Sequence, residues 1–302
     1  MLCSLPATGR EIAVGPSHAL KLPSQAATVA VSGDVVRIDP GTYTDCALWK
    51  ASRLVIEATG PGVVIGGKTC ADKGIFIIMG SDVVIRGITF SDASVVWHNG
   101  AGVRAFGDNL TVERSRFLNN ENGILAGGGP DSVLRIRDSE FVGNGACIAA
   151  CAHGVYAGAA IYLLDVEHCV FLNTKIAHHI KSRARNTVIR GSRIEDGPDG
   201  TASYLIDIPD GGNALIQDNV LEKGPRSDNP AVAISIGEES ARNPTEALII
   251  RDNIFRSDVP QRTAFVRDST PAEPELVDNT IRGDVEPLAA ATWSLWRDVR
   301  RR

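Results

Sequence analysis

The sequence predicts an all-β fold, a right-handed parallel β-helix built as a single-stranded solenoid behind an N-terminal helical cap. Three observations carry this reading: a short strand pattern that returns along the chain, irregular spacing between its copies, and a composition rich in turn formers. Thirty glycines and fifteen prolines with only 5% aromatics suit many short strands joined by tight turns.

The pattern first appears as Val83-Val84-Ile85-Arg86-Gly87-Ile88-Thr89-Phe90 and again as Leu110 to Phe117. Further copies run from Leu134 to Phe141, Leu164 to Phe171, Thr187 to Ile194, Ala214 to Leu221 and Leu248 to Phe255, with a weaker one from Pro274 to Ile281. Five positions before the end of each copy stands an aliphatic: Ile85, Val112, Ile136, Val166, Ile189, Ile216, Ile250, Leu276. Two before the end come Ile88, Ser115, Ser139, Cys169, Ser192, Asn219, Asn253 and Asn279. Apolar positions alternate instead of recurring at helical spacing, which excludes helix-pair repeats, and the leucine skeleton of a leucine-rich repeat is missing. Stacked β-coils fit. Each coil buries a few inward side chains, its neighbours complete its backbone hydrogen bonds, and Asn or Ser ladders line the bends. A fixed strand with variable spacing places the insertions at the corners.

The elements follow in chain order, with residues 1–302 forming one domain. Both ends of such a solenoid expose strand edges that need covers. Residues 17–31 carry Leu20, Leu22, Ala26 and Val29 at roughly helical spacing and supply the first cover, a cap helix. Val35 to Tyr43 reads as the first strand and turn, and the coils extend over about 33–285. Residues 286–302, with Leu288, Trp293, Trp296 and Val299, form a helical or irregular cover at the far end. Cys46 and Cys70 bracket about one coil and are expected close in space; Cys147 and Cys151 form a second candidate bridge, and Cys169 is a small core residue. No Cys-x-x-Cys pair points to zinc.

Composition narrows the function classes. A net charge of −5 provides no global basic field, so nucleic acid is not an expected partner. No apolar run is long enough for a membrane span. Two candidate disulfides favour an oxidising compartment, periplasmic or secreted, although no signal peptide is visible.

Chemistry gathers on another strand of each coil: 101–105, 122–126, 153–157, 178–182, 205–208 and 233–236. With Val103, Ile124, Val155, Ile180, Ile206 and Ile234 inward, alternation sends Arg104, Leu125, Tyr156, Lys181, Asp207 and Ser235 outward in one column. His179 and Arg183 are expected outward on either side of Lys181, while His178 and Tyr204 are expected inward. A slip of one residue would invert the set. Between His168 and Ile194 lie six basic residues and no acidic one, an excess that would attract an anion. The competing reading is a solvated face neutralised by Asp207, Asp210 and Glu195.

The segments Gly123-Ile124-Leu125, His153-Gly154-Val155-Tyr156, His178 to Ala184 and Ser203 to Gly212 resemble bacterial right-handed parallel β-helix repeat proteins of the pectate-lyase-like superfamily. The resemblance covers most of residues 30 to 285. It implies the fold and, by analogy alone, a carbohydrate-directed function, since that superfamily includes polysaccharide lyases, glycoside hydrolases, alginate epimerases and phage tailspikes.

From these residues the leading expectation is a lyase, or C5-epimerase, acting on an acidic uronate-containing polysaccharide by C5 proton abstraction and β-elimination. Lys181, its pKa lowered among other cations, would be the base, with Tyr156, His153 or His179 as the acid. Arg183 would neutralise the uronate carboxylate with its bidentate fork, and Arg104, Asp210 and Glu238 would bind substrate. Asp207 would orient Lys181 or hold a calcium ion, although one aspartate makes a poor calcium site. The alternatives are a glycoside hydrolase pairing Asp207 with Asp210 or Glu238, and a non-catalytic polysaccharide-binding or exopolysaccharide-assembly protein. Sparse aromatics argue against stacking on neutral sugars.

Overall fold

The computed structural model describes residues 9–290 except residue 149. Three long parallel sheets wrap a single core, so the chain is a right-handed parallel β-helix. The first sheet holds eleven strands, beginning with Glu11–Val14, which precedes the cap and pairs with Val35–Ile38. Its central strands are Val83–Arg86, Leu110–Glu113, Val133–Arg137, Leu163–Glu167, Asn186–Arg190, Asn213–Gln217 and Leu248–Arg251. All pair parallel with the aliphatic positions in register, Ile85 beside Val112 beside Ile136 and so on to Ile250. The second and third sheets have ten strands each.

The core explains the register. Phe90, Phe117, Phe141 and Phe171 lie inward on successive strands of the second sheet and are fully buried. Their rings stack face to face, with centroids 5.2, 4.7 and 4.5 Å apart. A slip of one residue in any coil would break this stack and the aliphatic column together.

At the bend between the first and second sheets the expected Asn ladder is present, but Asn does not itself supply the left-handed backbone that it tolerates well. The left-handed residue is the one before it: Asp218, Asp252 and Asp278 have φ of 56°, 56° and 52°. Asn219 and Asn253 instead use their side chains. Asn219 Oδ1 accepts from the Ser192 N–H at 2.9 Å, Asn253 Oδ1 from the Asn219 N–H at 3.0 Å, and Asn279 Oδ1 from the Asn253 N–H at 3.1 Å. Buried amides at the bend are thereby satisfied along the helix axis, where the sheets' own ladders cannot reach them.

The cap helix is Pro23–Val29, shorter than the 17–31 segment that suggested it. Pro23 opens it, as suits a position whose N–H has no intrahelical partner, and Ala26 is its fully buried contact with the first coil. At the far end Val285–Ala290 forms the last strand of the third sheet, so the coils run past residue 285. The remainder of the expected C-terminal cover, with Trp293, Trp296 and Val299, lies outside the described residues. Disulfides join Cys46 to Cys70, with Cα atoms 5.5 Å apart, and Cys147 to Cys151. Cys169 is a buried free thiol.

Candidate functional site

The third sheet carries the candidate site. Its strands include Ala101–Ala105, Asn122–Ala126, Val155–Ala157, His178–Ser182, Tyr204–Ile208, Val232–Ile236 and Thr263–Asp268. Pairing places Arg104 beside Leu125, Leu125 beside Tyr156, Tyr156 beside Lys181, Lys181 beside Asp207, Asp207 beside Ser235 and Ser235 beside Arg267. Val103, Ile124, Val155, Ile180, Ile206 and Ile234 all face the core. Alternation read from the sequence therefore identifies this column.

It fails one residue earlier. Gly102, Gly123, Gly154, His179, Leu205, Ala233 and Phe265 occupy one position per coil, and this position also points inward. A Cβ on Gly102 would meet the Phe117 ring at 2.8 Å, while His179, Leu205, Ala233 and Phe265 are fully buried. Two successive residues turn to the core where the chain enters the sheet, so counting by twos from Ile180 inverts everything before it. His179 is corrected accordingly. It lies in the interior with Nδ1 2.8 Å from Thr174 Oγ1 and Nε2 2.9 Å from Asp196 Oδ1, beyond reach of any polymer on the surface. His178 and Tyr204, expected inward, face the groove instead.

These two join His153 in a second column. The rings of His153, His178 and Tyr204 stack with centroids 4.8 and 4.9 Å apart. Each Nδ1 accepts the backbone N–H of the next coil, His153 from His178 at 3.3 Å and His178 from Tyr204 at 3.2 Å. This bonding leaves the proton on Nε2. Burial holds both imidazoles neutral, with cationic Lys181 adding to the effect: His153 is pushed down to about 3 and His178 well below its usual value. His178 Nε2 faces Asp207 Oδ2 at 3.4 Å.

Lys181 is not the free amine that the sequence suggested. Its Nζ lies 2.8 Å from Asp207 Oδ2 and 2.8 Å from Glu239 Oε1. Burial alone would lower its pKa, but the two carboxylates outweigh burial and hold it above the usual lysine value. This arrangement favours a charged Lys181 over the neutral base expected from the sequence. The shifted group is Asp207: burial raises its carboxyl to about 6 against the lowering pull of Lys181.

Arg183 spends its fork in three directions. Nε donates to Tyr156 Oη at 3.0 Å, Nη1 to Asp210 Oδ1 at 2.6 Å, and Nη2 to Glu239. Its pKa is raised: burial opposes the charge, but the hydrogen bond to Glu239 and the surrounding negative groups prevail. Asp210 also accepts from Ser240 Oγ at 2.9 Å, and Glu238 accepts from Tyr204 Oη and from Ser235 Oγ at 2.8 Å. Arg104 stands apart, two coils from Tyr156, with its guanidinium 4.7 Å over the Phe106 ring and its Nε buried without a partner. The acid-free basic stretch disperses. Lys181 and Arg183 lie in this groove, whereas Arg190 and Arg193 pair with acids on the other two sheets.

Sequence reasoning missed Glu239. It belongs to no strand and follows Ile236 in the corner insertion that makes this the longest interval between repeats. That loop folds back across its neighbours: the Glu239 and Ser240 N–H groups donate to Pro209 O, and Asn243 N–H donates to Asp210 O. The glycine at the inward position of three coils was the available signal for the broken alternation; nothing comparable marked Glu239. Calcium does not fit the donor set as arranged. Among the described residues no cluster of three or more His, Cys, Asp or Glu side chains is placed to hold a metal ion, and Asp207, Asp210 and Glu239 each already bind a cation.

A family model described as right handed beta helix region matches residues 25–157. Pectin methylesterase PemA from Erwinia chrysanthemi superposes over 92% of this chain and 94% of its own, with a TM-score of 0.55 and 11% identity. A PL6 family alginate lyase covers 91% of this chain and 40% of its own at 16% identity and a TM-score of 0.46. The A-module of an Azotobacter vinelandii mannuronan C-5 epimerase covers 89% and 91% at 12% identity and a TM-score of 0.42. No curated protein sequence matches the chain. At these identities the likeness is one of fold.

Proposed function

We propose that the groove on the third sheet binds an acidic, uronate-containing polysaccharide and abstracts the C5 proton of a bound uronate, as a lyase or a C5-epimerase. One observation carries this reading: Lys181 and Arg183 converge on a single carboxylate, that of Glu239, directly beside a buried carboxyl, Asp207, poised near neutrality. Two cations on the C6 carboxylate of a uronate would stabilise the charge that develops when its C5 proton leaves. The pectin methylesterase of similar fold is in keeping with a polyuronate substrate.

The roles shift from those read in the sequence. Lys181 becomes a charge-bearing binder and Asp207 the base, since a carboxyl with a pKa near the working pH suits proton transfer. Both contacts to Asp207 are at Oδ2, so Oδ1 receives the C5 proton. The C5–H electron pair forms the C4–C5 double bond as the C4–O bond breaks. Tyr156 Oη accepts from Arg183 Nε, which leaves its own proton for the departing oxygen. In an epimerase the C4–O bond survives and C5 is reprotonated from the other face. The Nε2–H groups of His153 and His178 line the groove as donors, and Arg104 lies two coils from Tyr156 along the same column. The two disulfides support a periplasmic or secreted setting, and no helix among the described residues is long and apolar enough to cross a membrane.

Incubation with polygalacturonate, alginate and glucuronate-containing polymers in deuterated buffer tests the reading. Lyase activity raises the ultraviolet absorbance of the unsaturated uronate, and epimerase activity places deuterium at C5 without it. A second reading, binding without chemistry, is favoured by the complete pairing of Lys181 and Arg183 with carboxylates; retention of these polymers with neither signal would replace the first with it.

A further inference from the structure

Three carboxylates surround the Lys181–Arg183 pair, and they are not equivalent. Asp207 and Asp210 sit on and just after one strand, with side chains 3% and 5% exposed, and each holds one cation. Glu239 touches both cations, yet its side chain is 49% exposed. Its backbone is pinned through Pro209 and Asp210 by the loop that carries it. Only side-chain torsions therefore separate the bridging position from solvent. With Glu239 in place the Lys181 side chain is 9% exposed and that of Arg183 20%, so a ligand carboxylate reaches both through the space that the Glu239 carboxylate fills.

We infer that Glu239 is an internal stand-in for a substrate carboxylate: it occupies the Lys181–Arg183 subsite in the free protein and swings out when an acidic sugar docks. The inference rests on the uronate reading above and adds a gate to it. Asp207 and Asp210 stay behind to keep each cation oriented, and the donors freed on Lys181 Nζ and Arg183 Nη2 pass to the incoming carboxylate. Because the open subsite is only a fraction of the population, apparent affinity falls by that fraction. A lone uronate monosaccharide offers one carboxylate against a tethered one and competes poorly. A polymer adds contacts along the column and displaces it. Glu239 thus raises the affinity that any acidic ligand must supply, a threshold that a chain with added contacts clears and a free sugar acid or small anion does not.

The test is calorimetric titration of the whole protein, wild type and Glu239→Gln, with galacturonate, mannuronate and their hexamers. The Michaelis constant is read instead where turnover occurs. Glu239→Gln should bind at least one hexamer about tenfold more tightly, and should gain proportionally at least as much for its monomer. Glu239→Asp, one methylene short of bridging both cations, should move the same way by less and guards against a folding defect in the first variant. Hexamer binding by wild type that is unchanged or weakened in both variants would overturn the gate and leave the uronate reading standing. No binding of any uronate by any of the three proteins would remove both.

Discussion

Replacing Lys181 by Met leaves the Asp207 carboxyl, 3% exposed, with only the His178 Nε2 contact at 3.4 Å. Breaking a buried ion pair from one side costs about 3–5 kcal/mol when the remaining charge cannot reach water. The pH dependence follows from Asp207. Its folded pKa is raised by burial to about 6 even with Lys181 present, whereas an unfolded aspartate titrates near 3.9. A carboxyl with a raised folded pKa binds its proton first in the native state, so its contribution declines as pH rises from about 4 through 6. Without Lys181 that decline continues above 6. The Lys181→Met penalty should therefore be roughly 3 kcal/mol at pH 8 and close to zero at pH 4.5, where Asp207 is neutral. Equilibrium urea unfolding of wild type, Lys181→Met, Asp207→Asn and the double variant at both pH values measures it. Other acid-sensitive groups cancel in the differences. The double-mutant cycle should return a coupling of at least about 2 kcal/mol at pH 8. Equal penalties at the two pH values, or a coupling below about 0.5 kcal/mol, would mean that water screens the pair and that the site is not closed over it.

The neutral His153 makes an opposite contribution. Its folded pKa of about 3 lies below the unfolded value, so its stabilisation is complete above about pH 6.5 and is lost as pH falls toward 3, by roughly 4 kcal/mol. His153→Gln should flatten the slope of the thermal midpoint between pH 6.5 and 4, and an unchanged slope would remove His153 as its source. Arg183→Ala should raise the Michaelis constant for a polyuronate, and Arg183→Lys should not restore it, because one ammonium cannot span Tyr156, Asp210 and Glu239 together; full rescue by lysine in steady-state kinetics would argue for charge alone. Asn219→Ala should cost about 2 kcal/mol in urea unfolding, since it leaves the buried Ser192 N–H without its acceptor and takes one donor from the Ile189 carbonyl. A cost under about 0.5 kcal/mol would show that water replaces the ladder there.

How much of this was legible in the sequence depended on whether a residue answered to a periodic constraint. Tyr156, Lys181 and Asp207 alternate with Val155, Ile180 and Ile206, and burial of the aliphatics fixes where the polar residues point. His178 and His179 sit where the chain turns into the sheet, and there the period of two is interrupted. Core space decides the orientation at that step, and the small residues that reveal it, Gly102, Gly123 and Gly154, lie on other coils. The charge state of Lys181 was read wrongly for a different reason. Two of the cations that follow it in sequence, Arg190 and Arg193, project onto other faces, while its carboxylate partners arrive from positions 26 and 58 residues further along. Glu239 was invisible because a corner insertion has no register to place it.

The bends and the groove follow opposite rules of kinship between coils. Along the bend Asn219, Asn253 and Asn279 meet like against like, as do Phe117, Phe141 and Phe171 in the core. A duplicated coil inserted there would find a neighbour shaped to receive it. In the groove Tyr156, Lys181, Asp207 and Ser235 meet only unlike neighbours, and a copied coil would set lysine against lysine. Length in this molecule can therefore grow by repetition, whereas the Tyr156–Lys181–Asp207 column requires each coil to differ from the next.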